Sequence, residues 1–181
     1  MIENEYLKIT KDPMIIHGGF KSRRALVSKY AWAIPNDKAL YTLKKYSTIV
    51  EIGAGTGYWA YLANDRGADV ICYDKFLGDA NDYKHTKNWV DVKHGDESIL
   101  ESFDPDVNLF LCWPPYDNPM AKNCLDKFKG EYVLYVGEGF DGCNGDDDFH
   151  NCLYNYWVEI KHIVIPRWDA IYDDLTVYRR K

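Results

Sequence analysis

A short apolar strand that runs into three alternate glycines constrains this chain more than any other stretch. Residues 49–59 read IVEIGAGTGYW: four residues suited to a buried strand, then Gly53, Gly55 and Gly57, then the start of a helical pattern. Glycines at such a turn let the backbone approach a ligand closely beside a helix N-terminus. The segment therefore predicts a nucleotide-like ligand at the carboxyl end of a parallel strand.

The remaining pattern alternates strands and helices, which is typical of a mostly parallel sheet covered by helices. We predict strands at 48–52, 69–73, 89–93, 107–112, 132–136, 157–165 and 171–179, and helices at 21–33, 35–43, 58–65, 119–128 and 146–154. We expect one α/β domain over 1–181, with a helical lead-in at 1–46 and a core at 47–181. The sheet would have seven strands, helices on both faces and a C-terminal antiparallel hairpin.

Polar or aromatic residues follow four of the predicted strands. They are Asp74, Asp96, the segment 113–116 and Glu138. Because the carboxyl ends of parallel strands meet at one edge of a sheet, we expect these residues to lie at the same edge as the glycine turn. This convergence favours a ligand site there.

The spacing of the glycines separates the ligands that such a turn can hold. A dinucleotide-binding loop has the pattern G-x-G-x-x-G, and Tyr58 stands where its third glycine would be. The Gly-Lys-Ser/Thr ending of a triphosphate-binding loop is also absent. A nicotinamide dehydrogenase and a nucleoside-triphosphate enzyme are therefore disfavoured.

The segment 51–57, an acid followed by G-x-G-x-G, resembles the first motif of the class I, Rossmann-like S-adenosylmethionine-dependent methyltransferases. The resemblance implies S-adenosyl-L-methionine as the cofactor, with Asp74 at the ribose hydroxyls and Asp96 near the adenine amino group. A vicinal diol and an exocyclic amine both donate hydrogen bonds, so carboxylates suit them. The expected cofactor-binding residues are Glu51, Gly53, Gly55, Gly57, Tyr58, Asp74, Asp96 and Cys112.

The segment 113–116, Trp-Pro-Pro-Tyr, is similar to the [D/N/S]-P-P-[Y/F] motif of amino-methyltransferases. This resemblance implies an acceptor nitrogen on a base or other small planar group. The Pro114 carbonyl can accept from an amine, and Tyr116 can stack on a planar acceptor. The expected catalytic residues are Trp113, Pro114, Pro115, Tyr116 and Glu138.

Trp113 departs from that motif, because an indole only donates a hydrogen bond and cannot accept one from the target nitrogen. Two functions therefore stay open. The first is an S-adenosylmethionine-dependent methyltransferase (EC 2.1.1.-). The second is a non-catalytic, cofactor-binding protein of the same fold that acts as a partner or regulatory subunit.

Charge and composition limit the partners. The chain has a net charge of −6 and a sequence pI of about 5.3, so long nucleic-acid duplexes are not favoured, although a nucleic-acid acceptor stays open. We predict no metal site, because the acidic run 146–148 suits a helix N-terminus.

Without a signal peptide or an apolar run of membrane-spanning length, we expect a cytoplasmic protein. The oligomeric state is left open.

Overall fold

The computed structural model describes residues 2–8, 15–16, 20–78, 85 and 87–181. Its helices are α1 (Glu5–Lys8), α2 (Phe20–Lys29), α3 (Asp37–Lys45), α4 (Tyr58–Asp65), α5 (Met120–Lys127) and α6 (Asp147–Tyr156), with a 3₁₀-helix at Glu97–Ser102. Its strands are β1 (Ile15–Ile16), β2 (Ile49–Ile52), β3 (Val70–Asp74), β4 (Val92–His94), β5 (Asn108–Cys112), β6 (Tyr132–Gly137), β7 (Trp157–Val164), β8 (Arg167–Trp168) and β9 (Asp174–Arg180).

Seven of the strands form one sheet in the order β4-β3-β2-β5-β6-β9-β7. Strands β2 to β6 are parallel to one another, and β9 is inserted antiparallel between β6 and β7. The predicted fold class is thus confirmed, including the C-terminal antiparallel hairpin. Strand β2 pairs with both β3 and β5, so the direction of winding reverses there, and ligands of open α/β sheets bind at such a point.

Apolar side chains cover both faces of this sheet. Along β5, Phe110 packs into one buried cluster with Trp59, whereas Leu109 and Leu111 pack into a second cluster with Phe149. A strand that is apolar on both sides is what a parallel sheet between two helical layers requires. The polar groups of the central strands are consequently concentrated at their ends.

Helix α2 ends at Lys29, earlier than predicted. The backbone leaves the helix because carbonyls beyond it accept hydrogen bonds from side chains of the core. The Thr56 hydroxyl donates to the Tyr30 carbonyl, and the Trp59 indole N–H donates to the Ala33 carbonyl at 3.1 Å. These contacts lay the segment between α2 and α3 across the glycine turn.

Strand β4 is shorter than predicted, because Trp89 lies outside it. The Trp89 backbone N–H donates to the Thr56 carbonyl at 2.8 Å. Its ring packs on Tyr30 and Tyr58, with centroid distances of 5.6 and 4.9 Å. Tertiary packing therefore takes this residue away from the sheet ladder.

Among the described residues, four short elements were not predicted: α1, β1, the 3₁₀-helix and β8, which pairs in parallel with β1. The lead-in predicted at 1–46 falls partly on residues outside those that the structure describes, and its described part contains α1, β1, α2 and α3. None of the helices in the described residues has the length and apolarity needed to cross a membrane.

Candidate functional site

A cavity of about 560 Å³ opens at the carboxyl edge of the sheet, where β3, β2 and β5 end. Ligand pockets commonly measure about 300 to 1,000 Å³. Its wall contains seven of the eight expected cofactor-binding residues, namely Glu51, Gly53, Gly55, Tyr58, Asp74, Asp96 and Cys112. The residues at the ends of β2, β3, β4 and β5 thus lie at one edge of the sheet, as predicted.

The glycine turn needs glycine for both conformation and space. Gly53 has φ of +75°, and a Cβ there would lie 2.8 Å from the Met120 Cε atom. Gly57, the eighth expected residue, lies outside the cavity wall and is the N-cap of α4, with φ of +70°. A Cβ on Gly57 would lie 2.4 Å from Val90 Cγ2. Both glycines therefore permit close packing against side chains of other segments.

Asp74 fixes the shape of the turn from the neighbouring strand. Its Oδ2 accepts from the Gly55 backbone N–H and its Oδ1 accepts from the Phe76 backbone N–H, both at 2.8 Å. Each carboxylate oxygen has a second lone pair. The same carboxylate can therefore hold the turn and accept hydrogen bonds from a ligand in the cavity.

Asp96 has a local structural role as well as a place in the cavity wall. It is the N-cap of the 3₁₀-helix, and its Oδ1 accepts from the Ser98 hydroxyl at 2.6 Å and from the Ser98 backbone N–H at 3.0 Å. The hydrogen bond from the Ser98 hydroxyl lowers the pKa of the Asp96 carboxyl. The residue therefore offers an ionised carboxylate at the end of β4.

Glu51 is the acid of the glycine motif, and it is 1% exposed. Burial raises the pKa of this carboxyl to about 8. The Cys72 thiol donates to Glu51 Oε2 at 3.4 Å, and burial also raises the pKa of the nearby Cys112 thiol. The base of the cavity thus carries groups that hold their protons at neutral pH.

Sequence reasoning did not single out several other residues of the wall. Phe76 follows Asp74 by two positions, so the strand-end argument could have found it. His85 and Met120 come from a loop and a helix with no distinctive local pattern, and burial lowers the pKa of His85. Only the tertiary structure brings these two side chains to the glycine turn.

Trp113 is held by contacts within the protein. Its backbone is left-handed, with φ of +56°, and its indole N–H donates to Asp173 Oδ1 at 2.7 Å. Its ring stacks on Trp32 with a centroid distance of 4.9 Å and an interplanar angle of 12°. The position where the amino-methyltransferase motif has a hydrogen-bond acceptor therefore holds a fixed aromatic wall.

A buried carboxylate and a guanidinium lie behind this wall. Asp173 is 1% exposed, and burial raises its pKa to about 7. Its Oδ2 has no hydrogen-bond partner among the described residues, and neither do Nε and Nη2 of Arg23. The Arg23 guanidinium lies 5.1 Å from the centroid of the Trp113 ring and 5.4 Å from that of Trp32.

The structure does not bring Glu138 to the cavity wall. Its Oε1 accepts from the Tyr172 backbone N–H at 2.8 Å, and its Oε2 accepts from the Cys143 backbone N–H at 2.9 Å. The carboxylate therefore joins two loops that follow β6 and precede β9. A catalytic role for Glu138 stays a prediction, and this joining role was not foreseen.

The three other residues expected to be catalytic, Pro114, Pro115 and Tyr116, lie in the loop after β5 and do not face the same cavity. Pro115 lies in the cavity wall, whereas Pro114 is buried outside it and its carbonyl accepts from the Gly145 backbone N–H at 3.2 Å. Tyr116 is 70% exposed and faces a second cavity. A planar acceptor beside Trp113 would therefore not meet Tyr116 in this arrangement.

Comparison with known proteins shows a likeness in fold. A scan against protein-family models and a search of curated proteins find no match to the chain. A candidate tRNA (m1A22) methyltransferase of Streptococcus pneumoniae, solved with S-adenosyl-L-methionine, aligns with a TM-score of 0.51 and 11% identity over 81% of this chain and 73% of its own. A candidate RNA methyltransferase of Pyrococcus horikoshii aligns with a TM-score of 0.50 and 16% identity over 90% of this chain and 99% of its own.

A third similar structure is a Streptococcus agalactiae protein of the NADB-Rossmann superfamily, with a TM-score of 0.51 and 13% identity over 83% of this chain and 71% of that protein. At such identities the likeness shows the Rossmann-like fold. The same fold is used by methyltransferases and by proteins of other functions, so activity has to be argued from the site.

Proposed function

We propose that this protein is an S-adenosylmethionine-dependent methyltransferase. The observation that carries the proposal is the cavity at the switch point of the sheet, which brings the glycine turn, Asp74, Asp96 and Cys112 to one wall. A similar fold described as a candidate tRNA methyltransferase binds S-adenosyl-L-methionine, which supports the choice of cofactor.

The residues of the cavity fit this cofactor. Gly53 and Gly55 border the cavity without side chains, so a ligand can approach the backbone of the turn closely. Asp74 and Asp96 supply acceptors for the hydroxyls and the amine of an adenosine. The glycine turn contains no Lys or Arg, which suits a cofactor without phosphate.

When bound, the cofactor supplies a methyl group on a positively charged sulfur. The chain's own contribution is to hold two reactants close together and to exclude water. Tyr30, Trp32 and Trp113 line the cavity with aromatic surface, which suits a planar acceptor. We propose a nitrogen on a base or other small planar group, and the net charge of −6 favours a small acceptor over a long duplex.

Calorimetric titration with S-adenosylmethionine and with its demethylated product tests the cofactor assignment. Asp74→Ala removes the acceptor for Gly55 and Phe76 together with the proposed ribose contact, so we expect affinity to fall by about 100-fold. Asp69→Ala changes an exposed carboxylate before the start of β3 and should leave affinity unchanged. No binding of either compound by the unmodified protein would refute the proposal.

A non-catalytic partner subunit is the second candidate, and the internal contacts of Trp113 favour it. Its indole is already bonded to Asp173 and stacked on Trp32. Incubation with methyl-labelled cofactor and extracts of RNA, protein and small metabolites separates the two functions. Cofactor binding without labelling of any fraction would support the partner subunit.

A further inference from the structure

A second cavity, of about 530 Å³, lies on the opposite side of the loop that follows β5. That loop borders the first cavity with Trp113 and Pro115 and the second with Tyr116 and Asp117. The loop after β6 and the start of α6 form the rest of the second wall. The two cavities are therefore separate spaces that share one wall, and the cofactor proposal does not account for the second.

The wall of the second cavity is acidic. Five carboxylates border it, those of Asp117, Asp141, Asp146, Asp147 and Asp148, and the described residues of the wall include no Lys or Arg. Asp146 caps α6, with its Oδ1 accepting from the Phe149 backbone N–H at 2.8 Å. The other four carboxylates are on exposed residues and do not cap the helix. Their combined negative charge attracts cations to the cavity.

A buried amide supplies an independent indication of a ligand. Asn144 borders the same cavity and is 1% exposed. Its Oδ1 accepts from the Glu138 backbone N–H at 2.9 Å, whereas its Nδ2 has no hydrogen-bond partner among the described residues. A buried donor without a partner is costly, and a ligand that satisfies it must bring a hydrogen-bond acceptor.

Exposed aromatic rings flank the acidic groups. Tyr116 is 70% exposed and belongs to the wall, and Phe140 is 52% exposed, with its ring centroid 5.2 Å from that of His150, another wall residue. Lys and Arg side chains pack their aliphatic stems and their charged groups on such rings. The cavity thus combines negative charge with surfaces suited to long basic side chains.

We infer that this acidic cavity binds a basic peptide segment of a partner protein. A peptide supplies both chemistries that the wall requires, since its Lys or Arg side chains match the carboxylates and its backbone carbonyls match Asn144 Nδ2. A nucleic acid would place phosphates among carboxylates. Among the described residues no group of three His, Cys, Asp or Glu side chains is placed to hold a metal ion.

Fluorescence anisotropy with a labelled Lys/Arg-rich peptide tests the site in the full chain, without any cofactor. The double variant Asp117→Asn/Asp141→Asn removes two charges, and Asn tolerates their left-handed φ of +49° and +65°. We expect this variant to bind the peptide about tenfold more weakly at low salt. The control Asp104→Asn/Asp106→Asn removes two exposed carboxylates before β5 and should bind within about twofold of the unmodified protein.

Equal weakening by both double variants would overturn the site, because it would show attraction to net charge alone. A second comparison, on the unmodified protein, sets tetralysine against spermine, which have the same charge but differ in carbonyl acceptors. We expect tetralysine to bind about tenfold more tightly, because only it can satisfy a buried donor. Equal affinity would refute a peptide site.

Discussion

Asp74 and Glu138 stand at the ends of two strands of the same sheet, and each carboxylate accepts two backbone N–H groups. The partners of Asp74 lie in the glycine turn and directly beyond its own strand, and its side chain still borders the large cavity. The partners of Glu138 belong to two loops that fold over it. Both residues are buried, so the difference lies in what each borders: Asp74 lies in the wall of the first cavity and Glu138 does not.

The same contrast separates the two halves of the carboxyl edge. On the side of β3 and β4, the polar groups border open space. On the side of β5, β6 and β9, Trp113 donates to Asp173 and stacks on Trp32, so the side chains of this side contact one another. We call the side of β3 and β4 the cofactor half and the side of β5, β6 and β9 the acceptor half, after the roles proposed for them. The cofactor half is thus open to a ligand, and the acceptor half is held together by its own side chains.

Asp173→Asn is the strongest test of that internal network. Burial raises the Asp173 pKa from 3.8 to about 7, so the folded protein holds a proton that the unfolded chain releases. This contribution to stability is complete below pH 4 and is lost as pH rises to about 7. Because one pKa unit corresponds to about 1.4 kcal/mol, we expect a loss of about 4 kcal/mol that the variant lacks.

Urea unfolding of both proteins at intervals between pH 4 and pH 8 measures this difference. Glu51 also has a raised pKa and loses stability in the same direction, so the quantity to follow is the difference between the two proteins at each pH. If the difference in the free energy of unfolding stays constant with pH, Asp173 is ionised throughout and paired with Arg23. The acceptor half would then contain a buried ion pair.

Glu138→Ala tests the joining of the two loops. Its carboxylate accepts two hydrogen bonds from backbone N–H groups and the residue is 7% exposed, so we expect a loss of about 3 kcal/mol in the free energy of unfolding. Glu138→Gln keeps one acceptor and should lose about half as much. Glu159→Ala, at an exposed position on the edge strand β7, is the control and should change stability little.

If Glu138→Ala unfolds at the same urea concentration as the unmodified protein but no longer transfers methyl groups, the carboxylate is catalytic and the contrast with Asp74 disappears. Loss of stability with unchanged cofactor affinity is the result that the contrast predicts. Cofactor affinity by calorimetry and urea unfolding on the same samples distinguish these outcomes.

The sequence predicted the cofactor half better than the acceptor half. The order of strands and helices is confirmed, and α4 begins at Tyr58 and ends at Asp65 as predicted, because periodicity and glycine placement are local signals. The contacts of the acceptor half join distant residues, such as Trp113 with Asp173 and Glu138 with Tyr172. No local pattern encodes such pairs, so the covering of Glu138 could not be foreseen.

Glu51 belongs to the cofactor half and yields the smallest of the predicted effects. Its carboxyl borders the cavity with a pKa of about 8, so it is protonated at neutral pH before a ligand enters. A positively charged ligand nearby favours the ionised form and lowers that pKa. If the proposed cofactor binds there, we expect its affinity to rise about tenfold per pH unit between about pH 6 and pH 8 and to level off above.

Titration calorimetry in buffers of different ionisation enthalpy measures the proton released on binding. Glu51→Gln keeps the size of the side chain and an acceptor for the Cys72 thiol, and its affinity should not vary with pH over this range. The demethylated product lacks the sulfonium charge, so it should show a weaker dependence in the unmodified protein. An equal slope for Glu51→Gln would assign the proton to another group of the wall. The cofactor half would then still bind a cation, but the acid of the glycine motif would serve the fold, as Glu138 does on the other side.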